Sequence, residues 1–478
     1  MYFFDKHPNF KAHTLFEDDC GQAATYETWY AHADELGGIM PSRSLAAIVC
    51  RNTIGSALSY LCCLQRRVVP LLIDEAMDDE LKQGLLAAYR PEFIFCPCGT
   101  EGGNPLYSLY DYDVYRHNNT SPALYEDLGL LLTTSGSTGS PKLVRLSYDN
   151  IQSNAASIAQ YLELTAADRP VSSLPMHYTF GLSVINSHVL CGAAECLTTA
   201  TVFDAAFWQF CKEKRVTSIA GVPFTYECLR RLKFTAMDLP DLTLMIQAGG
   251  KLSKKLQKEF GEYAAATGKR FVVMYGQTEA TARMSYLPPA DCLRKIGSIG
   301  IAIPGGSFSI LDDDHAELTE PNAIGELCYD GPNVSLGYAH CADDLQLGDE
   351  RHGRLFTGDI AYCDEEGLLL YCRPQKNGLS KSWASVSTWT KSSSCSKTPS
   401  PTGISPAPAA TTTCSSLRRL RKRTAPTWRI SSSPRRAFIP AALPSALSPR
   451  FPKTRRARRS TTDLPGLKGL RICQWTHV

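Results

Sequence analysis

Up to about Tyr371 the chain alternates short, continuous apolar runs with amphipathic stretches of helical period, and this alternation constrains the fold more than any other feature. Leu45–Val49, Val68–Ile73 and Phe93–Cys96 read as buried strands, with Gly55–Leu64 and Asp79–Tyr89 as helices between them. The pattern returns at Pro170–Ser173, Glu195–Leu197, Ser218–Ala220, Leu242–Gln247 and Phe271–Met274. Strand–helix alternation of this kind predicts parallel sheets in an α/β architecture. From Ile299 to Leu370 the strands shorten, and turn signals separate them: Pro304-Gly305-Gly306, Asp312-Asp313-Asp314 and Asp364-Glu365-Glu366-Gly367. A smaller, barrel-like β subdomain is expected there. At 478 residues the chain exceeds what one hydrophobic core organises, so two or more domains are expected.

The formal net charge of +3 is unevenly spread. Leu417–Arg459 is rich in Arg and Lys, which leaves the chain before Tyr371 mildly acidic. That main part gives no reason to expect a nucleic acid as partner. The 18 cysteines are scattered, and Cys96 and Cys98 lack the spacing and the second pair of a zinc knuckle. Free, mostly buried thiols in a reducing cytosol are the expectation. Met1–Phe10 has no basic region followed by an apolar run, and no apolar stretch reaches the ~20 residues of a membrane span, so a cytoplasmic protein is expected.

The strongest chemical signal is Leu130-Leu-Leu-Thr-Thr-Ser-Gly-Ser-Thr-Gly-Ser-Pro-Lys142. An apolar strand runs into a loop of small hydroxyl residues and glycines, Thr134, Ser135, Gly136, Ser137, Thr138 and Gly139, that closes on Lys142. Glycines let the backbone approach a polyphosphate, N–H groups and hydroxyls donate to phosphate oxygens, and the lysine adds a point charge. The loop lacks the Gly-Lys-Ser/Thr ending of a Walker A motif. The bland alternative is a Ser/Gly-rich surface linker.

This loop resembles the phosphate-binding signature of the adenylate-forming superfamily, which includes acyl-CoA synthetases, peptide-synthetase adenylation domains and luciferases. Further motifs follow in the order the resemblance requires, over roughly Tyr26 to Leu370. Tyr275-Gly-Gln-Thr-Glu-Ala280 follows a strand. By resemblance Tyr275 and Gly276 lie at adenine, Thr278 contacts the α-phosphate and Glu279 binds magnesium. A carboxylate at a strand end can hold a hard cation against phosphate, although a capped loop before a helix would look the same. Ala248-Gly249-Gly250 resembles the small-residue segment beside adenine, or is a plain strand-to-helix turn. Asp359 in Arg354-Leu-Phe-Thr-Gly-Asp359 is expected to accept from both ribose hydroxyls. Leu174-Pro-Met-His-Tyr-Thr-Phe-Gly181 resembles the lining of the acyl pocket and implicates His177, Tyr178 and Gly181. It departs from the common form, because Tyr178 stands where many acyl-CoA synthetases have histidine. His177 is equally well read as a packed residue.

The resemblance implies a large domain of two sheets with packed helices and a two-step reaction. ATP and a carboxylic acid give an acyl-adenylate and pyrophosphate, with Mg2+ as cofactor; coenzyme A then displaces AMP. Thr278, Glu279 and Lys142 are the expected catalytic set. A carrier-protein thiol or an amine is the alternative acceptor, and an inactive nucleotide-binding remnant is the non-catalytic alternative.

After Tyr371, Ser, Thr, Arg and Pro dominate and apolar periodicity stops, which by itself reads as a disordered basic tail. The family instead continues with a Gly-Arg-x-x-x-x-Ile-Lys hinge and a small α+β lid carrying a lysine for the reacting groups. Leu370–Gly378 can be encoded TTA TAT TGC CGG CCG CAA AAA AAC GGT. Read one base later, its start gives Tyr-Ile-Ala-Gly-Arg. With one A dropped from the run at Lys376, the continuation through Leu379–Ser396 can read Lys-Lys-Arg-Phe-Val-Lys-Val-Leu-Gly-Ile-Arg-Val-Asn-Leu-Asp-Glu-Val-Glu-Gln-Leu-Leu. At the same offset Arg450–Thr462 can give Leu-Pro-Lys-Asn-Glu-Thr-Gly-Lys-Ala-Phe-Asp-Tyr. Residues 371–478 are thus expected to be a frameshifted lid, produced by two single-base slips near Leu368–Leu370 and Lys376.

Overall fold

The computed structural model describes residues 1–118, 120–133 and 142–374. Of the two units into which the chain divides, Met1–Thr398 and Pro399–Val478, the second falls wholly outside these residues, as does the expected frameshifted lid from residue 375 onward, whereas residues 371–374, expected to belong to it, continue the strand Leu369–Pro374.

Two sheets form the described part, one of eight strands and one of thirteen. In the smaller sheet Phe93–Pro97, Leu45–Cys50, Val69–Asp74 and Leu128–Thr133 run parallel, in that spatial order. Antiparallel strands flank them, among them Leu143–Ser147 and Gly337–Ala339. In the larger sheet a parallel run extends from Thr14–Asp18 through Glu195–Leu197, Pro170–Val171, Ser218–Gly221 and Leu244–Gln247 to Arg270–Tyr275. Beyond Arg270–Tyr275 the pairing turns antiparallel, through Ser285–Tyr286 and Ser298–Ala302 into the strands Ser307–Leu311, Gly325–Asp330, Arg354–Cys363 and Leu369–Pro374. The turn-rich region expected after Ile299 therefore packs its own apolar cluster, around Ile310, Leu327, Tyr329 and Leu355, while remaining hydrogen-bonded to the parallel sheet.

The apolar runs are continuous because helices cover the parallel strands. All six residues of Leu45–Cys50 are buried. Helix Ile54–Gln65 is buried on every side from Ile54 to Leu64, which is why it lacks a polar stripe. Helix Thr179–Leu190 is likewise buried up to Val189. Helix Tyr148–Tyr161 starts immediately after strand Leu143–Ser147 because Ser147 forms a capping box with Asn150. The 14 cysteines whose side chains are described are free thiols, and no helix among the described residues is long and apolar enough to cross a membrane.

Candidate active site

The hydroxyl-rich loop connects two antiparallel neighbours, with Thr133 paired to Leu143 at its base. Thr134, Ser135, Gly136, Ser137, Thr138 and Gly139 lie outside the described residues. Lys142 is described at the loop's exit. Its ammonium sits 3.2 Å from the centroid of the Tyr338 ring, a cation–π contact. Burial holds its pKa below the usual lysine value; Glu279 opposes that shift and Arg351 adds to it.

Glu279 lies in the one-turn helix Thr278–Ala280, which follows strand Arg270–Tyr275. Tyr338 donates its hydroxyl to Glu279 Oε1 at 2.7 Å, and the Arg351 guanidinium lies 4.7 Å from the same ring. Tyr338 therefore joins Lys142, Arg351 and Glu279 at one point. Burial, then the Glu279 charge, pushes its own pKa well up, so it stays a donor. The chain after Glu279 is bent tightly. Thr281 and Ala282 both have positive φ, at 52° and 91°, and a Cβ on Gly276 would collide with the Ala282 carbonyl. Strain of this kind persists only where the surroundings enforce it. Here Asn333 donates to the carbonyls of Ala280 and Arg283, and Thr281 donates to the carbonyl of Asn333.

The residues expected at the nucleotide converge from separate elements. Tyr275 is buried and donates its hydroxyl to Asp359 Oδ2 at 2.6 Å, and Gln277 Nε2 donates to the same oxygen at 3.2 Å. Gln277 also donates to the Thr357 carbonyl, which ties strand Arg354–Cys363 to the Tyr275 segment. Ala248 is buried at the end of strand Leu244–Gln247, and Gly249 takes a left-handed φ of 69°. Gln247 donates to the carbonyls of Ala248 and Gly250 and so fixes this turn.

The pocket segment splits its two aromatic residues. Tyr178 turns toward the turn at Gly249, where a Cβ would lie 2.5 Å from its hydroxyl oxygen. Burial raises its pKa to about 12, with the Arg283 charge acting against the rise. His177 faces the other sheet, 3.6 Å from Asp74 Oδ2 at the end of strand Val69–Asp74. Burial lowers its pKa and Asp74 opposes the shift, so this pair is no strong ion bridge at neutral pH. Gly181 is required by packing, because a Cβ there would strike the Pro175 carbonyl. Asn52 anchors the segment, accepting from Met176 N and donating to the carbonyls of Ser172 and Leu174.

Among the described residues no group of three or more His, Cys, Asp or Glu side chains is placed to hold a metal ion. A divalent ion at Glu279 would draw its remaining ligands from phosphate and water, the manner in which Mg2+ is usually held beside a polyphosphate. The lone carboxylate fits that role.

Tyr338, Gln247, Gln277 and Arg351 were not apparent as site residues from the motifs. Tyr338 lies in strand Gly337–Ala339, far in sequence from both Lys142 and Glu279. A phenylalanine at this position keeps the ring under Lys142 and removes only the hydroxyl on Glu279. Tyr338→Phe is therefore expected to raise the Mg2+ concentration needed for half-saturation of MgATP binding by about 3- to 10-fold, for one charge-assisted hydrogen bond. Titration calorimetry across a magnesium series checks this, and an unchanged requirement would contradict the positioning role.

Residues 4–339 match the family described as AMP-binding enzyme. The chain belongs to that family. Similar members of the AMP-binding family include the oxalate–CoA ligase of Arabidopsis thaliana, 32% identical over 56% of this chain and 52% of that protein. Another is the long-chain-fatty-acid–CoA ligase of Escherichia coli O157:H7, 33% identical over 53% of this chain and 46% of that protein. The chain thus spans about half the length of these curated relatives. The o-succinylbenzoate coenzyme A synthetase of Bacillus subtilis, solved with ATP and a magnesium ion, superposes with a TM-score of 0.62 at 22% identity, over 76% of this chain and 79% of that one. That likeness establishes the α/β fold of the AMP-binding family member described here.

Proposed function

We propose that this chain activates a carboxylic acid with ATP and passes the acyl group to coenzyme A. In the first step a carboxylate oxygen attacks the α-phosphorus, the bond to the β-phosphate oxygen breaks, and pyrophosphate leaves with its electron pair. In the second the thiolate sulfur attacks the acyl carbon, the carbon–oxygen bond to phosphate breaks, and AMP leaves. Little covalent work falls to the protein, so positioning and charge stabilisation carry the catalysis. Thr278 donates to the α-phosphate, Glu279 holds Mg2+, and Lys142 with the loop Thr134–Gly139 receives the outer phosphates. Asp359 binds the ribose, and Tyr275 with Ala248, Gly249 and Gly250 encloses adenine. Tyr178, His177 and Gly181 belong to the acyl side. Bound Mg2+ supplies charge neutralisation of the polyphosphate.

The observation that carries this reading is the meeting of Lys142 and Glu279 on Tyr338. A cation from the phosphate loop and a carboxylate from the one-turn helix that follows a strand of the other sheet share one support, as a metal–polyphosphate substrate demands. Coenzyme A is favoured as acceptor by the relatives, both named as CoA ligases. Their names span a dicarboxylic and a long-chain fatty acid, so they do not select the acid. The free thiols fit a reducing cytoplasm. The lid and its lysine are proposed to be encoded out of frame after Leu370.

Titration of the full chain with MgATP tests the reading. Binding is expected, with Glu279→Gln weakening it about 10-fold or more through loss of the metal carboxylate. Failure of the wild-type chain to bind MgATP would overturn it. Pyrophosphate release over a panel of acids, with and without coenzyme A, then separates thioester formation from transfer to other acceptors.

A further inference from the structure

Two arginines of the described part are wholly enclosed, and their surroundings differ in kind. Arg145, 0% exposed, donates to Glu350 Oε2 at 2.5 Å and to the carbonyls of Tyr338, Leu347 and Gly348. Its charge is balanced. Arg283, 1% exposed, has no carboxylate partner among the described residues. Its Nε and Nη2 both donate to the single oxygen of Ser183, at 3.2 and 2.9 Å. Its Nη1 donates to the Tyr161 hydroxyl at 3.3 Å and to the Met274 sulfur at 2.9 Å. The guanidinium lies 4.6 Å from the centroid of the Phe180 ring. Every partner is neutral.

Enclosing a cation without a counter-charge costs several kcal/mol, and hydroxyls, a thioether and a ring face recover only part of it. The Nε–Nη2 edge is the fork that matches the two oxygens of a carboxylate, yet here it converges on one hydroxyl. The location gives that mismatch a meaning. Arg283 lies four residues after Glu279, and Ser183 and Phe180 belong to the helix that begins after Tyr178. Phe180 packs edge-on against Tyr178 at 6.4 Å between centroids. A single aromatic ring therefore separates the guanidinium from the tyrosine that abuts Gly249.

Resting on the acid-activation reading above, we propose that Arg283 receives an anionic group at the far end of the acid substrate. The pocket behind Tyr178 then selects short acids bearing a second carboxylate. The second carboxylate takes the fork from Ser183, reaching it past the edge of Phe180, and supplies the missing counter-charge. Chains ending in methyl leave the guanidinium unpaired and meet its bulk where their own tail must lie.

Three stable adenylate mimics bound to the full chain test this without any turnover: 5′-O-sulfamoyladenosine, its N-butanoyl form and its N-succinyl form. Titration calorimetry is expected to find the succinyl compound bound about 10-fold or more tightly than the butanoyl compound, the scale of one charge pair. Arg283→Met is expected to reverse that order, and Arg283→Lys to keep part of it. A wild-type chain that binds sulfamoyladenosine but prefers butanoyl, or does not discriminate, overturns the proposal alone, and this readout needs no variant to fold. An unchanged ratio in a folded Arg283→Met chain does the same. Failure of all three compounds to bind overturns the nucleotide reading, and this proposal with it.

Discussion

Restoring the shifted frame is expected to raise acyl-adenylate formation by about 10²- to 10³-fold over the chain as it stands, the range found when one charge-stabilising donor is added to or removed from a developing anion. The restored gene lacks one base near Leu368–Leu370 and one A in the run near Lys376, after which the frame continues into the hinge and helix read above. The physical ground is that Lys142, held against Tyr338, is proposed to serve the outer phosphates. A second cation for the reacting carboxylate must come from elsewhere, and the Leu-Pro-Lys-Asn-Glu-Thr-Gly-Lys run of the shifted frame contains one. ATP–pyrophosphate exchange on the two proteins measures the difference. Equal rates, or a restored chain indifferent to replacing the last lysine of that run by alanine, would remove the lid hypothesis. MgATP binding by the unrestored chain should survive, because the residues proposed to bind it precede Leu370.

The second large effect concerns stability. Glu195 stands in a strand between Thr14–Asp18 and Pro170–Val171, with Phe16 as one cross-strand partner. Its side chain is buried and Oε2 has no hydrogen-bond partner. Burial raises its pKa from 4.5 to about 8. A folded-state pKa above the unfolded one means that stability is complete below about pH 4.5 and is lost as pH rises towards about 8, where it levels off. At 1.36 kcal/mol per unit, the loss across that window is on the order of 4 kcal/mol. Glu195→Gln, which keeps the shape and cannot ionise, should therefore unfold at nearly the wild-type urea midpoint at pH 5 and at a clearly higher one at pH 8. Parallel curves for the two proteins from pH 5 to pH 8.5 would contradict this.

Most of the fold was legible because burial on both faces leaves a strong trace. Leu45–Val49 and Phe93–Cys96 fell within one residue of the observed strands, since a covered parallel strand admits no polar residue. Helix Ile54–Gln65 was readable for the same reason. What could not be read was that the short strands after Ser298 join the parallel sheet edge to edge, because two-residue strands such as Ser285–Tyr286 leave no periodic pattern. In the site, Tyr178 and His177 are adjacent and chemically plausible alike. Only the start of helix Thr179–Leu190 directs one toward Gly249 and the other toward Asp74.

By itself the sequence determined the α/β class, the hydroxyl-rich loop closing on Lys142, and the order of motifs that makes this chain a member of the AMP-binding family. These are properties of short windows, where composition and spacing already carry the chemistry. The tertiary structure alone decided that Tyr338 bridges Lys142 and Glu279, that Tyr275 and Asp359 share a hydrogen bond, and that Arg283 is enclosed without a counter-charge among the described residues. The first two join segments 59 and 84 residues apart in sequence that are not paired strands, and no local pattern encodes such a contact. The third depends on which side chains close around a cation, a fact that exists only once the core has packed.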